Sequence, residues 1–138
     1  MKRKILLVLL LFFCSLCSGY LLSKASLTGK IGIDFFYRQY RFLKDPITTT
    51  LIIFILYILL FLLHLIVYKH IVNPNSNWIS KSILLLGILG VLITYYDFQN
   101  TLSHKLLGTR FHLGGYLFWL GWILIPTFFL INSKKSNQ

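Results

Sequence analysis

Long apolar stretches alternate with short polar connections along this chain. The apolar stretches lie at residues 5–22, 51–68, 78–96 and 113–131. Each is close to the ~20 residues that a helix rising ~1.5 Å per residue needs to cross ~30 Å of hydrocarbon. In lipid, only a helix satisfies its own backbone polar groups over such a run. The pattern therefore predicts an all-α membrane protein, a four-helix transmembrane bundle in which residues 1–138 form a single domain.

The stretches differ in how clearly they read as membrane helices. The second has neither a charge nor a helix breaker from Leu51 to Leu63. The third is the weakest, because Lys81 lies near its start and its continuous apolar part runs only from Ile83 to Ile93. A long lysine side chain reaches the interface from such a position, so the third stretch is still predicted to span.

The first stretch has a second interpretation, as a cleaved signal peptide. Residues 2–4 are basic, residues 5–17 are apolar and residues 17–19 are small, which is the arrangement of a signal peptide cleaved near residue 19. The apolar run nevertheless continues to Leu22 before it meets Lys24. This continuation favours a membrane anchor that is retained.

The connection between the first two stretches has a helical pattern of its own. Over residues 31–44, apolar side chains recur at helical spacing and basic side chains mostly occupy the rest of the circumference. The apolar set is Ile33, Phe36, Tyr37, Tyr40 and Leu43. This pattern predicts a short interfacial amphipathic helix lying on the bilayer, attracted by anionic headgroups. The alternative is a solvated basic linker with incidental aromatic residues.

The basic excess indicates a membrane environment. The formal net charge is +11, and the lysines and arginines are scattered at the edges of the apolar stretches. Anionic lipid headgroups are the nearest polyanion there, so the lipid bilayer is the predicted partner and no nucleic acid is expected. Seven basic residues fall on each side of the membrane, so the basic N-terminus decides the orientation, with both termini predicted in the cytoplasm.

The connection at residues 97–112 holds the densest polar set and is the predicted ligand-binding site. Its candidates are Asp97, His104, Arg110 and His112. Arginine offers planar donors for an anionic group, the aspartate would orient them, and a histidine exchanges a proton near neutral pH. The alternative is a polar loop in which Asp97 pairs with Arg110 or Lys105 at the membrane edge.

Two further polar features lie within the apolar stretches. His64 is the best intramembrane candidate for a functional residue, and its alternative is a hydrogen-bonded histidine that joins helices. It is too distant in depth from His112 for both to hold one haem iron. Cys14 and Cys17 have the spacing of a redox motif, but their position near the middle of an apolar helix favours inert packing.

The sequence contains few of the residues from which catalytic motifs are built. The chain is 57% hydrophobic and 12% charged, has no glutamate, and has only three aspartates, which leaves little for paired-carboxylate chemistry. It contains no phosphate-binding glycine loop, zinc-ligand cluster or nucleophile elbow. We therefore predict no catalytic residue, no metal and no cofactor.

Small residues mark the faces where helices are expected to meet. Gly87 and Gly90 lie one turn apart in the third stretch, and Gly114 and Gly121 share a face of the fourth. A ridge of large aromatic side chains accompanies the second pair, at Tyr116, Trp119 and Trp122. The ridge is either internal packing or a docking surface for a larger membrane protein.

Together these features predict a noncatalytic accessory or assembly subunit of a larger complex. The Lys-, Asn-, Ile- and Leu-rich composition suggests a bacterial inner membrane, with a membrane-protein partner or a homo-oligomer. The alternative is a small membrane enzyme or carrier that binds an anionic or lipid-like ligand at residues 97–112.

Overall fold

The protein is an all-helical bundle. Its structure, a computed structural model, describes residues 2–26, 42–70, 77–101, 105 and 107–136. Four helices account for most of them: α1 (Lys2–Ser23), α2 (Pro46–His70), α3 (Asn77–Asn100) and α4 (Thr109–Ser136). All four are long and apolar enough to cross a membrane, which is the architecture of a multi-pass membrane protein. The predicted set of four helices is confirmed.

Each helix extends beyond its apolar stretch, because polar residues at the ends continue or cap the helix. At the start of α2, the Asp45 carboxylate accepts hydrogen bonds from the backbone N–H of Ile47 (3.4 Å) and Thr48 (3.1 Å). It also accepts one from the Thr48 hydroxyl. These bonds lower the pKa of the Asp45 carboxyl because they favour its charged form, and the bond from the Thr48 hydroxyl has the largest effect.

The predicted interfacial helix lies mainly outside the described residues. Of residues 31–44, the structure describes only 42–44, which form one short 3₁₀ turn before α2. The Thr49 hydroxyl ties this turn to α2 by donating to the Phe42 carbonyl at 2.9 Å. The interfacial helix therefore stays a prediction.

The helices alternate in direction, so the bundle has two ends. The contacts between helices show that α1 and α3 begin, and α2 and α4 finish, at the Arg3 end; at the Asp97 end the directions are reversed. Helix α1 packs against α2 and α4, and α3 packs mainly against α4. The core lies between α1, α2 and α4, where Leu11, Tyr57 and Ile125 are fully buried.

Candidate functional site

The predicted ligand-binding residues are at the Asp97 end, where α3 ends and α4 begins. Asp97 is half-buried, and its carboxylate accepts a hydrogen bond from the Thr101 hydroxyl at 2.7 Å. His112 stacks on the buried Phe98 ring, with centroids 4.2 Å apart and planes 18° apart. This stack holds His112 beside the residue that follows Asp97.

Of the other two candidates, the structure describes only Arg110. Arg110 is exposed in the first turn of α4. His104 lies outside the described residues. Thus the structure places Asp97 and His112 at neighbouring helix ends, and the four-residue site remains a prediction.

His64 is the most unusual polar residue inside the bundle. It lies in the apolar part of α2 and is only 2% exposed. Its Nδ1 lies 2.9 Å from the Leu60 carbonyl oxygen, and its ring stacks on Phe129 at 5.2 Å. A carbonyl oxygen only accepts hydrogen bonds, so Nδ1 carries the proton of the neutral ring and Nε2 carries the lone pair.

This Nε2 atom has no hydrogen-bond partner among the residues that the structure describes. It is the only buried side-chain nitrogen or oxygen without one in the described part of the chain. The hydrogen bond of His64 stays within α2 and joins no second helix. Buried polar groups are nearly always satisfied, so an accepting atom left open at this depth marks a candidate site.

Other buried polar groups hold the helices together. The Ser18 hydroxyl donates to the Gly114 carbonyl at 2.7 Å and joins α1 to α4. The Tyr57 hydroxyl donates to the Phe118 carbonyl at 2.7 Å and joins α2 to α4. Such interhelical bonds are favourable in lipid, where water does not compete for them.

The glycines of α4 lie where the helices come closest. A Cβ atom added to Gly114 would lie 2.8 Å from the Leu22 nitrogen and 3.0 Å from the Ser18 carbonyl oxygen of α1. A Cβ atom added to Gly121 would overlap the Tyr57 ring and hydroxyl. Both positions therefore need a residue without a side chain.

The glycines of α3 receive the aromatic ridge of α4. A Cβ atom at Gly87 would lie 2.9 Å from Trp122 Cδ1, and one at Gly90 would overlap the Trp119 ring. The Trp119 indole N–H donates to the Thr94 hydroxyl at 2.8 Å. Because Trp119 and Trp122 pack against α3, the structure favours internal packing over a docking surface for the ridge of Tyr116, Trp119 and Trp122.

One close approach, between α1 and α2, was not predicted from the sequence. A Cβ atom at Gly19 would lie 2.7 Å from the Thr50 backbone nitrogen. The signal was present, because Ser15 and Gly19 are four residues apart and form a small-xxx-small pair. The face of α2 that receives this pair cannot be read from its sequence, because threonines occupy the three consecutive positions 48–50 and therefore point to different sides of the helix.

The described residues contain few other groups that could react or bind a metal. Cys14 and Cys17 are free and half-buried. Among the described residues, no three His, Cys, Asp or Glu side chains are grouped closely enough to hold a metal ion. No family model, curated protein or solved structure matches this chain. Its function must therefore be argued from its own residues.

Proposed function

We propose that this protein is a noncatalytic accessory or assembly subunit of a larger complex in a bacterial inner membrane. The observation that carries the proposal is the attachment of α3. This helix packs mainly against α4. Only 17% of its most apolar part is buried, against 28% in α2 and α4 and 39% in α1. A helix held along one side leaves most of its surface available for packing against a helix of a partner protein.

The use of the interior polar groups supports the same proposal. The hydroxyls of Ser18 and Tyr57 donate hydrogen bonds between helices, and the Trp119 indole N–H donates one to the Thr94 hydroxyl. These hydrogen bonds hold the helices in position, and they occupy the polar groups that could otherwise bind a ligand. A bundle whose helices are joined by such bonds, and which leaves one helix largely uncovered, suits a role in assembly.

Photo-crosslinking tests where the partner binds. A photoreactive amino acid at Leu85 of α3 is expected to capture one membrane protein, whereas the same residue at Leu59 of α2 is expected to label lipid. The two leucines are equally exposed, at 58% each, so they control for access to the membrane. The adducts are analysed by mass spectrometry after purification of the tagged full chain.

The identity of the adduct separates the possible partners. A second copy of this chain would show a homo-oligomer, and a stoichiometric foreign subunit would show a heteromeric complex. Equal capture from Leu85 and Leu59, or lipid labelling alone at both, would contradict the proposal.

The proposed orientation places both termini in the cytoplasm and the amphipathic segment at residues 31–44 on the other membrane surface. Reporter fusions after Lys30 and after Ser103 are then expected to report the outer compartment. Fusions after Asn75 and after Gln138 are expected to report the cytoplasm, because four spans return the chain to its starting side. The same compartment for Lys30 and Asn75 would contradict the topology, and would show that α2 does not cross.

A second candidate function is ligand binding at residues 97–112. The stack of His112 on Phe98 favours it, because this contact holds a histidine in place near Asp97 at a helix junction. An anionic or lipid-like ligand would then accompany the purified chain. Native mass spectrometry of the same preparation distinguishes this function, since a small bound mass would replace a partner protein.

A further inference from the structure

A cleft of about 400 Å³ opens between α1 and α4 at the Arg3 end. On the α1 side it is lined by Arg3, Leu6 and Leu10, among others. These residues are three and four positions apart, so they form one stripe along the helix. With ~1.5 Å of rise per residue, Leu10 lies ~10 Å deeper than Arg3.

On the α4 side of the cleft, a polar residue likewise lies nearest the membrane surface and apolar residues lie deeper. It is lined by Asn132, Ile131 and Phe128. Since α4 ends where α1 begins, Asn132 lies at the rim and Phe128 lies deeper. The Asn132 amide N–H donates to the Phe128 carbonyl at 2.9 Å, which fixes the side chain at the helix end. Both walls are therefore polar at the rim and apolar further in.

The positive charge of Arg3 at the rim is not balanced by an acidic side chain of the two helices that form the cleft. Neither α1 nor α4 contains an aspartate or a glutamate. The three aspartates lie elsewhere in the chain: Asp34 falls in the connection between α1 and α2, Asp45 directly precedes α2, and Asp97 lies near the end of α3. The sequence places seven basic residues at the Arg3 end: Lys2, Arg3, Lys4, Lys69, Lys81, Lys134 and Lys135. An anion that pairs with Arg3 must therefore come from outside the two helices.

We propose that the α1–α4 cleft binds one anionic phospholipid, with its phosphate at Arg3 and the upper part of an acyl chain along Leu6 and Leu10. A guanidinium group binds phosphate through parallel charge-assisted hydrogen bonds. The apolar walls below accept methylene groups at the depth where an acyl chain begins. This site is independent of the proposed partner on α3, and it lies at the opposite end from residues 97–112.

Lipid titration followed by native mass spectrometry tests the site. The full chain in detergent is titrated with phosphatidylglycerol and with phosphatidylcholine that carries the same acyl chains. One phosphatidylglycerol is expected to bind at least about tenfold more tightly than phosphatidylcholine, because the choline cation offsets the phosphate charge of the latter and would lie close to the Arg3 guanidinium. The Arg3→Gln variant is expected to lose about that tenfold preference.

Two matched variants separate the cleft from the general basic surface. Lys81→Gln removes one charge at the same end of the bundle, outside the cleft, and is expected to change binding by less than about twofold. Leu10→Trp fills the apolar part, leaves every charge in place, and is expected to weaken binding of both lipids.

Three results would overturn the proposal. The first is equal binding of the two lipids by the unaltered chain. The second is an equal loss in Lys81→Gln and Arg3→Gln, which would show a diffuse electrostatic attraction. The third is competition by glycerol 3-phosphate as effective as that by phosphatidylglycerol, which would show a phosphate site without an acyl-chain groove.

Discussion

Replacing Gly114 by alanine is expected to destabilise the bundle by about 2–3 kcal/mol, a typical cost of inserting a methyl group into a closely packed site. The new Cβ would lie 2.8 Å from the Leu22 backbone nitrogen and 3.0 Å from the Ser18 carbonyl oxygen. Backbone atoms cannot rotate away, so α1 and α4 must separate. Separation would also weaken the 2.7 Å hydrogen bond from the Ser18 hydroxyl to the Gly114 carbonyl.

The next residue in the chain provides the control. A Cβ atom at Gly115 would lie 3.3 Å from the edge of the Phe98 ring, which can shift by a few tenths of an ångström. Gly115→Ala is therefore expected to stay within about 1 kcal/mol of the unaltered protein, because alanine also favours the helix. The free energy of unfolding of both variants is measured in mixed micelles.

This pair of variants also tests whether α1 is part of the mature bundle. Gly114 faces α1, whereas Gly115 faces Phe98 of α3. If residues 1–19 were removed as a signal peptide, most of the helix that meets Gly114 would be absent, and the two variants would have similar stability. Equal effects would therefore contradict the packing of α1 against α4.

The number and nature of the helices could be predicted because the membrane imposes a length. A run such as Leu51 to Leu63 has no alternative to a helix in lipid. The ends were less predictable: α2 begins at Pro46 and α4 at Thr109, several residues before the apolar stretches. The Asp45 cap explains the first case, since capping depends on local hydrogen bonds rather than on hydropathy.

The pairing of helix faces could not be predicted from one sequence. Apolar residues surround each helix, because lipid and protein interior are both apolar, so no stripe marks the buried side. Gly90 and Trp119 are each conspicuous in the sequence, but only the structure shows the Trp119 ring in the space beside Gly90. For the same reason the aromatic ridge was open to two interpretations until its contacts with α3 were known.

The residues of the candidate sites could be identified from the sequence, but their burial and contacts could not. His64 is visible in the sequence as a polar residue in an apolar run. Its 2% exposure and its unsatisfied Nε2 depend on α4, which is distant in sequence. Asp97 and His112 were likewise identifiable, whereas the stack of His112 on Phe98 required the packing of α3 on α4.

Replacing His64 by leucine is expected to raise the free energy of unfolding by about 1 kcal/mol or more, because it removes a buried acceptor without a partner. Leucine is similar in size and keeps apolar contact with Phe129. The lost bond from Nδ1 to the Leu60 carbonyl leaves no new unsatisfied group, since that oxygen also accepts from the backbone N–H of residue 64 in a regular helix.

Tyr57→Phe is the matched control, because Tyr57 lies two turns earlier in α2 and is also fully buried. Its hydroxyl is satisfied by the Phe118 carbonyl at 2.7 Å, so its removal is expected to lower the free energy of unfolding by about 1 kcal/mol. Each variant thus replaces a buried polar side chain of the same helix by an apolar one, and the expected changes in the free energy of unfolding have opposite signs. If His64→Leu instead destabilised the protein purified from its native membrane, and did so less after delipidation, Nε2 would have a partner supplied from outside the chain. That partner would be a hydrogen-bond donor reaching the α2–α4 contact, because Nε2 offers only a lone pair while Nδ1–H is held by Leu60.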